Sequence, residues 1–390
     1  MKKLTCAILI ISHLTFLAAA QNKKADPEVR FIKGNIQEKI AAVKDADKDV
    51  SSKMSLKAVN FVLENMHIIA DDRDLAGLAI AAVMTYPVSE FNADREGTIN
   101  RLGSIYYGFR DSNVRIAVLD KFELFAKKSD SQEIVHFVNN YLKAAQEDKT
   151  QATEVECKAI DVLAVIGNNE SFEILYSSCK NKTWPKLEKN LINTLASLIE
   201  KSSSELVTII SKSDFAEMQK IYSVFVDNDK ISSSVRSETA ENLLNNSMII
   251  IRDSSSVTKE IAQFQLGVCK VLSDNNWTRS SSLMISYFEV AKREFEAGFI
   301  SDSDFANVIR YIEKLSSKDS VRLFVDYLGD LNMEMNKGNL PALNVVSAVI
   351  QALGDLGDKS SFDCLLYTTY LAYPENIVTQ ARNALSSLKW

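Results

Sequence analysis

The stretch Val155–Ser178, VECKAIDVLAVIGNNESFEILYSS, holds an apolar helix pattern ending at Gly167, a short polar turn, and a second apolar pattern from Phe172. A related stretch, Ser347–Thr369, SAVIQALGDLGDKSSFDCLLYTT, follows 190 residues later in register. Leu163 answers to Leu353, Ile166 to Leu356, Gly167 to Gly357, Ser171 to Ser361 and Leu175 to Leu365. A helix–turn–helix unit that recurs with its turn chemistry intact restricts the chain to architectures of stacked units. One helix pair cannot bury its apolar face alone, so neighbours must supply the rest of the core.

Composition agrees. The 390 residues are 46% hydrophobic and 25% charged, as in ordinary globular chains, but contain only 12 Gly and 5 Pro. A sheet-based chain of this length needs many more turns, so the expectation is an all-α fold. The same register appears elsewhere. Phe122 and Phe125 precede Leu163 and Ile166 by 41 residues, and Ile312, Leu315, Ser320 and Phe324 precede Leu353, Leu356, Ser361 and Leu365 by 41. Leu195 and Leu198 continue the pattern at 32, with Pro185 before them.

The divisions expected are 1–20 as a signal peptide, 21–28 as a mobile leader and 29–110 as an N-terminal helical region. They continue with 111–210 as regular units, 211–300 as irregular helical units and 301–390 as regular units closed by a cap helix at Val378–Leu388. In 29–110 the helical patterns are Val29–Val43, Val50–Asn65, Leu75–Thr85 and Thr98–Phe109, with a polar loop at Val88–Glu96. Asp111 or Asn113 is expected to cap the helix that follows, because a short side-chain oxygen satisfies free amides of a first turn. In 211–300 helical faces recur at Met218–Phe225, Val235–Ile251, Val257–Leu272 and Ser282–Glu296, without a common register. Gly167 and Gly357 are expected to turn the chain out of a helix in the left-handed region. Lys121, Glu123 and Lys127 are read as solvated.

The D-x-x-V-R-x-A start at Asp111, Val114, Arg115 and Ala117, and the A-L-G-x-L-G-D turn at Ala352–Asp358, resemble HEAT repeats of the armadillo-like superfamily. The resemblance covers about 105–210 and 300–390, although most units lack an Asp–Arg pair. It implies a right-handed α-α superhelix, a HEAT/armadillo-like solenoid of stacked antiparallel helix pairs. The inner helices of such a solenoid line a concave face that holds a protein partner. The resemblance brings no catalytic residue.

Residues 1–20 have a basic start, an apolar run from Ile8 to Leu17 and small residues at Ala18–Ala20, the form of a bacterial secretory signal peptide. Its removal takes Lys2 and Lys3 and moves the formal charge from −6 to −8. That sign disfavours nucleic acid and anionic lipid as partners. The expected protein is exported, periplasmic or secreted in a bacterium, monomeric, and without a membrane span after cleavage. Four Cys follow the leader: Cys157, Cys179, Cys269 and Cys364. Cys157 and Cys179 fall on successive helices, but the spacing is not a disulfide framework, and buried thiols are expected.

Catalytic and cofactor motifs are missing. After residue 20 only His67 and His136 remain, and no G-x-S-x-G, H-E-x-x-H, C-x-x-C or phosphate-cradling glycine motif occurs. Asp45, Asp47 and Asp49 copy the start of a calcium loop but meet Val50 and Leu56 where Gly and Glu are needed. Asp227 and Asp229 find Glu238 at the right distance, but lack the glycine. No metal or cofactor is expected. Asn169, Asn181, Asn245 and Asn276 begin N-x-[ST] triplets, which carry no weight behind a bacterial-style leader. The weak pointers to a surface are aromatic: Tyr106, Tyr107 and Phe109, and Tyr367, Tyr370 and Tyr373. The five tyrosines are the candidate partner-binding residues, with at least two of each triplet expected in the core. These features lead to a non-catalytic exported helical-repeat scaffold that binds a protein partner in the cell envelope. The alternative is a helical cell-wall glycan-acting enzyme or its accessory subunit, since such enzymes work with paired carboxylates.

Overall fold

A computed structural model of the chain describes residues 26–46, 48–69, 72–149, 151–254, 258–315 and 318–389. The signal peptide and residues 21–25 of the leader lie outside the described residues. Within them the chain is all-helical, with twenty-one α-helices and no strand beyond one isolated bridge between Asp358 and Lys389. No described helix is long and apolar enough to cross a membrane. The chain divides into two compact units, Met1–Thr194 and Leu195–Trp390.

In the first unit the helices are α1 (Pro27–Lys33), α2 (Ile36–Asp45), α3 (Lys48–Ile69), α4 (Arg73–Thr85), α5 (Val88–Ala93) and α6 (Arg95–Gly108). They continue with α7 (Ser112–Ser129), α8 (Gln132–Glu147), α9 (Glu154–Ile166) and α10 (Asn169–Lys180), and α11 (Glu188–Leu198) carries the boundary. Successive pairs stack in two layers. Helices α2, α4, α7 and α9 pack side by side in one, and α3, α6, α8 and α10 in the other. In the second unit α12 (Ser203–Ser211), α14 (Ser233–Ser254), α16 (Ser281–Glu296), α18 (Lys318–Asn336) and α20 (Phe362–Thr368) form one layer. Helices α15 (Lys259–Asp274), α17 (Asp302–Leu315), α19 (Leu343–Leu356) and α21 (Glu375–Ser387) form the other. Between α12 and α14 lies α13 (Phe215–Ile221), which runs into a π-helical turn, Tyr222–Val226.

The sequence register reappears as burial. Residues 161–170 and 351–360 follow the same order of buried, half-buried and exposed positions. Phe122, Phe125, Leu163, Leu195, Leu353 and Leu365 are fully buried, and Leu198, Ile312 and Leu315 nearly so. The structure extends the serine marker that the sequence shows at Ser171, Ser320 and Ser361. A buried serine stands at or near the start of six helices, two in the first unit and four in the second, with a buried apolar residue four positions on. The pairs are Ser131/Val135, Ser171/Leu175, Ser202/Leu206, Ser280/Met284, Ser320/Phe324 and Ser361/Leu365. Serine suits such a place because it is small; its hydroxyl plays no common role, since Ser131, Ser202, Ser280 and Ser361 make no side-chain cap bond. Ser171 Oγ donates to Asn139 Oδ1 at 2.8 Å, and Ser280 Oγ to the Trp277 carbonyl at 2.8 Å.

Several expectations need correcting. The first helical pattern, Val29–Val43, starts two residues earlier and splits at Gly34. Asn35 and Glu38 form a capping box there that starts α2 afresh. Residues 27 and 28 of the expected leader belong to α1. The expected loop Val88–Glu96 contains α5, because Phe91 is buried and stacks on Phe125 at 4.5 Å. Gly357 is left-handed, at φ 66°, but Gly167 is extended, at φ −64° and ψ 161°. Asn168 begins the capping box of α10 immediately after it, so the chain turns without a left-handed residue. Asp111, not Asn113, caps α7, accepting from the Asn113 amide at 2.7 Å.

Lys121, read as solvated, is buried. Its Nζ donates to the Met84 carbonyl at 2.7 Å, capping the last turn of α4, and lies 5.4 Å from the Phe125 ring centre. Burial lowers its ammonium from the ordinary 10.5 to about 8. No disulfide joins Cys157 and Cys179; of the four thiols after the leader, only Cys269 is fully buried.

The core of the second unit contains one costly group. Glu294 on α16 is fully buried, takes the Tyr287 hydroxyl at 3.2 Å on one oxygen, and leaves the other without a partner. Burial raises its carboxyl from the ordinary 4.5 to about 7. Between those two values the folded state keeps a proton that the unfolded chain has released. Stability therefore falls as pH rises through that window and levels off above it, by about 3 kcal/mol in all. Glu313, half-buried, shifts in the same direction, so the substitution Glu294→Gln is needed to isolate the effect. Urea unfolding of the second unit is expected to weaken from about pH 5 to pH 7.5 in the native chain, and much less in Glu294→Gln. Equal slopes for both proteins contradict this assignment.

Candidate functional site

The tyrosine clusters are sorted by the helices that carry them. Tyr106 on α6 is fully buried, edge-on to Phe137 at 5.4 Å and Tyr141 at 5.1 Å, with the Arg115 guanidinium 5.6 Å from its ring centre. Gly103, one turn earlier, leaves room for this cluster: a Cβ there would stand 3.0 Å from Phe137 Cε2. Phe109 is also buried, and the Arg115 Nε donates to its carbonyl at 2.8 Å, closing the exit of α6. Tyr107 lies at the edge of the same cluster, 5.2 Å from the Tyr106 ring and 5.6 Å from Phe137, and is 59% exposed. Two of this triplet are therefore core, as expected.

The C-terminal triplet departs from expectation, because only Tyr373 is buried. Its hydroxyl donates to the Leu331 carbonyl at 3.2 Å, and burial pushes that hydroxyl up to about 12. Tyr367 and Tyr370 are 44% and 76% exposed. Three tyrosines at intervals of three read as one helical stripe, but α20 ends at Thr368. Tyr370 and Tyr373 follow in a turn, where helical spacing no longer decides which way a side chain points. Tyr106 and Tyr373 are thus removed from the candidate surface, and Tyr107, Tyr367 and Tyr370 remain.

Around Tyr367 and Tyr370 the structure adds residues that the sequence did not single out. Asn332 on α18 is buried, and its amide donates to the Cys364 carbonyl at 3.2 Å and to Thr368 Oγ1 at 3.0 Å. This bridge and the Tyr373–Leu331 bond hold the ends of α18 and α20 together. Met333, next to Asn332, is 54% exposed, and Tyr367, next to Thr368, is 44% exposed. Leu340, in the connection after α18, is 62% exposed. Polar bonding thus pins the backbone while four large apolar or aromatic side chains face water. The Cys364 thiol, half-buried, donates to the Ser361 carbonyl at 3.2 Å and is pushed by burial up to about 11, so it is protonated at neutral pH.

The residues weighed for metal or catalysis are otherwise engaged. Asp229 pairs with Arg236 at 3.2 Å and Glu238 with Arg279 at 3.2 Å. Asp45 pairs with Arg30 at 3.0 Å, and Asp47 lies outside the described residues. His67 and His136 are exposed, and His136 bonds Asn140 at 2.9 Å. Among the described residues no group of three or more His, Cys, Asp and Glu could hold a metal.

Two open grooves accompany the helix stacking. One of about 600 Å³ runs between α4 and α7, with Gly77, Ile80, Met84 and Ile116 flanked by Arg73 and Asp120. Another, of about 430 Å³, lies between α14 and α16 and is lined by Ile249, Ile251, Val290, Arg252 and Arg293 among others. No protein-family model and no curated protein matches the chain.

The two kinds of tyrosine separate by substitution. Tyr106 buries its hydroxyl against that of Tyr141, which itself donates to Glu156, so Tyr106→Phe is expected to cost no more than about 1 kcal/mol. Tyr373→Phe is expected to cost about 1 kcal/mol, because the Leu331 carbonyl loses its donor. Tyr370→Ala is expected to change stability by less than about 0.5 kcal/mol. Calorimetry of the three variants checks the assignment.

Proposed function

We propose that this protein is an exported, non-catalytic helical-repeat scaffold that binds a protein partner in the cell envelope. In this reading each unit is a run of HEAT-like helix pairs, wound as a right-handed superhelix, and the described helices follow a secretory signal peptide. The observation that carries it is the apolar surface at the ends of α18 and α20. Met333, Leu340, Tyr367 and Tyr370 are all more than two-fifths exposed, and the Asn332 and Tyr373 hydrogen bonds tie down the backbone beside Met333 and Tyr367. Monomeric soluble proteins rarely leave large apolar patches open without use, and tyrosine on a rigid backbone is a frequent anchor of protein interfaces. The layered stacking and the 41-residue register support the repeat reading.

Residues 21–390, tagged at the C-terminus, would be incubated with cross-linked envelope extract from the source cell. The native protein is expected to retain one stoichiometric partner. The double variant Tyr367→Ala/Tyr370→Ala is expected to lose it while keeping its helical spectrum and melting midpoint. A partner retained equally by the variant would move the interface elsewhere, and turnover of a wall polymer by the purified chain would overturn the non-catalytic reading.

A further inference from the structure

We infer that the face around the π-helical turn Tyr222–Val226 is a binding site for an uncharged stretch of oligosaccharide. The turn is closed by the Asp227 amide donating to the Tyr222 carbonyl at 3.0 Å, one residue wider than an α-turn. Such turns are less favourable than regular helix and recur at functional sites. Here the wider turn carries Phe225 and Val226 into the core together and leaves Tyr222 half-buried at the rim.

What lies beside Tyr222 fits a sugar. A shallow cavity of about 590 Å³ is lined by Gln219, Tyr222, Lys259, Glu260, Gln263 and Phe264. The Tyr222 and Phe264 rings stand 5.6 Å apart at 64°, and Phe215 backs Phe264 at 5.5 Å. The rings meet edge to face, and the half-buried Tyr222 and Phe264 both line the cavity, where an open aromatic face can take the C–H face of a pyranose. Gln219 and Gln263 are exposed and line the same cavity from α13 and α15. An amide both donates and accepts, as does a tyrosine hydroxyl, and sugar hydroxyls need partners of that kind. Burial pushes the Tyr222 hydroxyl up, so it keeps its proton at neutral pH.

The charged lining balances, one lysine against one glutamate, which selects against a ligand of strong net charge. The cavity lies within the range of small-ligand sites.

The site does not depend on the protein-partner reading above, since its residues are separate from Met333, Leu340, Tyr367 and Tyr370. The test is titration of residues 21–390 with tri-N-acetylchitotriose, cellotriose and a proline-rich nonapeptide, followed by tyrosine fluorescence and calorimetry. At least one of the two saccharides is expected to bind with a Kd on the order of 0.1–1 mM. Gln219→Ala and Gln263→Ala, both at exposed positions that do not support the core, are each expected to weaken that binding about threefold to tenfold. Tyr222→Ala is expected to remove it. Three results would overturn the proposal: no saccharide response up to about 10 mM, binding undiminished in the Gln219→Ala/Gln263→Ala double variant, or binding of the proline-rich peptide in place of both sugars.

Discussion

The long described helices of this protein have more apolar surface than one neighbour can cover. On α17 the buried residues are Phe305, Ala306, Val308, Ile309, Ile312 and Leu315, which wrap around far more than a single stripe. Four neighbours share that surface: α15 and α19 beside it in its own layer, and α16 and, through Tyr327, α18 across from it. Phe305 makes the point locally, because its ring meets Phe288 and Phe295 from α16 and Tyr327 from α18. Burial of this kind is the dominant favourable term in folding. Each pair is therefore stable only when its neighbours are in place, and removal of one exposes the apolar faces of those on both sides.

Apolar stacking alone would allow neighbouring helices to slide. Directional polar contacts between successive helices, in one of the two layers within each unit, resist this. Gln146 on α8 donates to the Ile174 carbonyl of α10, at 2.8 Å. Asn246 on α14 donates to the Ile210 carbonyl of α12 at 2.7 Å, and Asn332 on α18 reaches α20 in the same way. Asn246 and Asn332 are buried, where an unmade bond is expensive, so a shift in register would break favourable bonds without replacement. The opposite layer uses exposed pairs, such as Gln37 with Asp74 at 2.7 Å and Asn344 with Asp302 at 2.7 Å. These contacts position helices more than they stabilise them.

The helical class and most helix positions were legible, because the 3.6-residue apolar period and the scarcity of Gly and Pro leave little else. The 41-residue register was legible where turn residues repeat, at 155–178 and 347–369. It was lost in 211–300, where the markers are single serines rather than glycine turns. Ser280 with Met284 continues the buried pairing there, but a lone serine is too common to stand out. Lys121 was misread because a lysine between apolar positions resembles a solvated face, and only the fold brings the Met84 carbonyl to it. The candidate surface was half legible. Tyr107, Tyr367 and Tyr370 are exposed, but Met333 and Leu340 look like ordinary core residues in sequence. The π-turn leaves no mark in the sequence, since its one extra residue only blurs the helical period.

If neighbour contacts are the source of stability, a lesion in one pair should be felt by the next pair and fade beyond it. The most direct measurement is native-state hydrogen exchange on Leu353→Ala, which empties a fully buried position of α19. The account predicts a loss of protection that is greatest in α18–α21, smaller in α17, and absent in α12–α14. A uniform loss across all helices of the second unit would contradict it, and would make that unit one cooperative body in place of a stack.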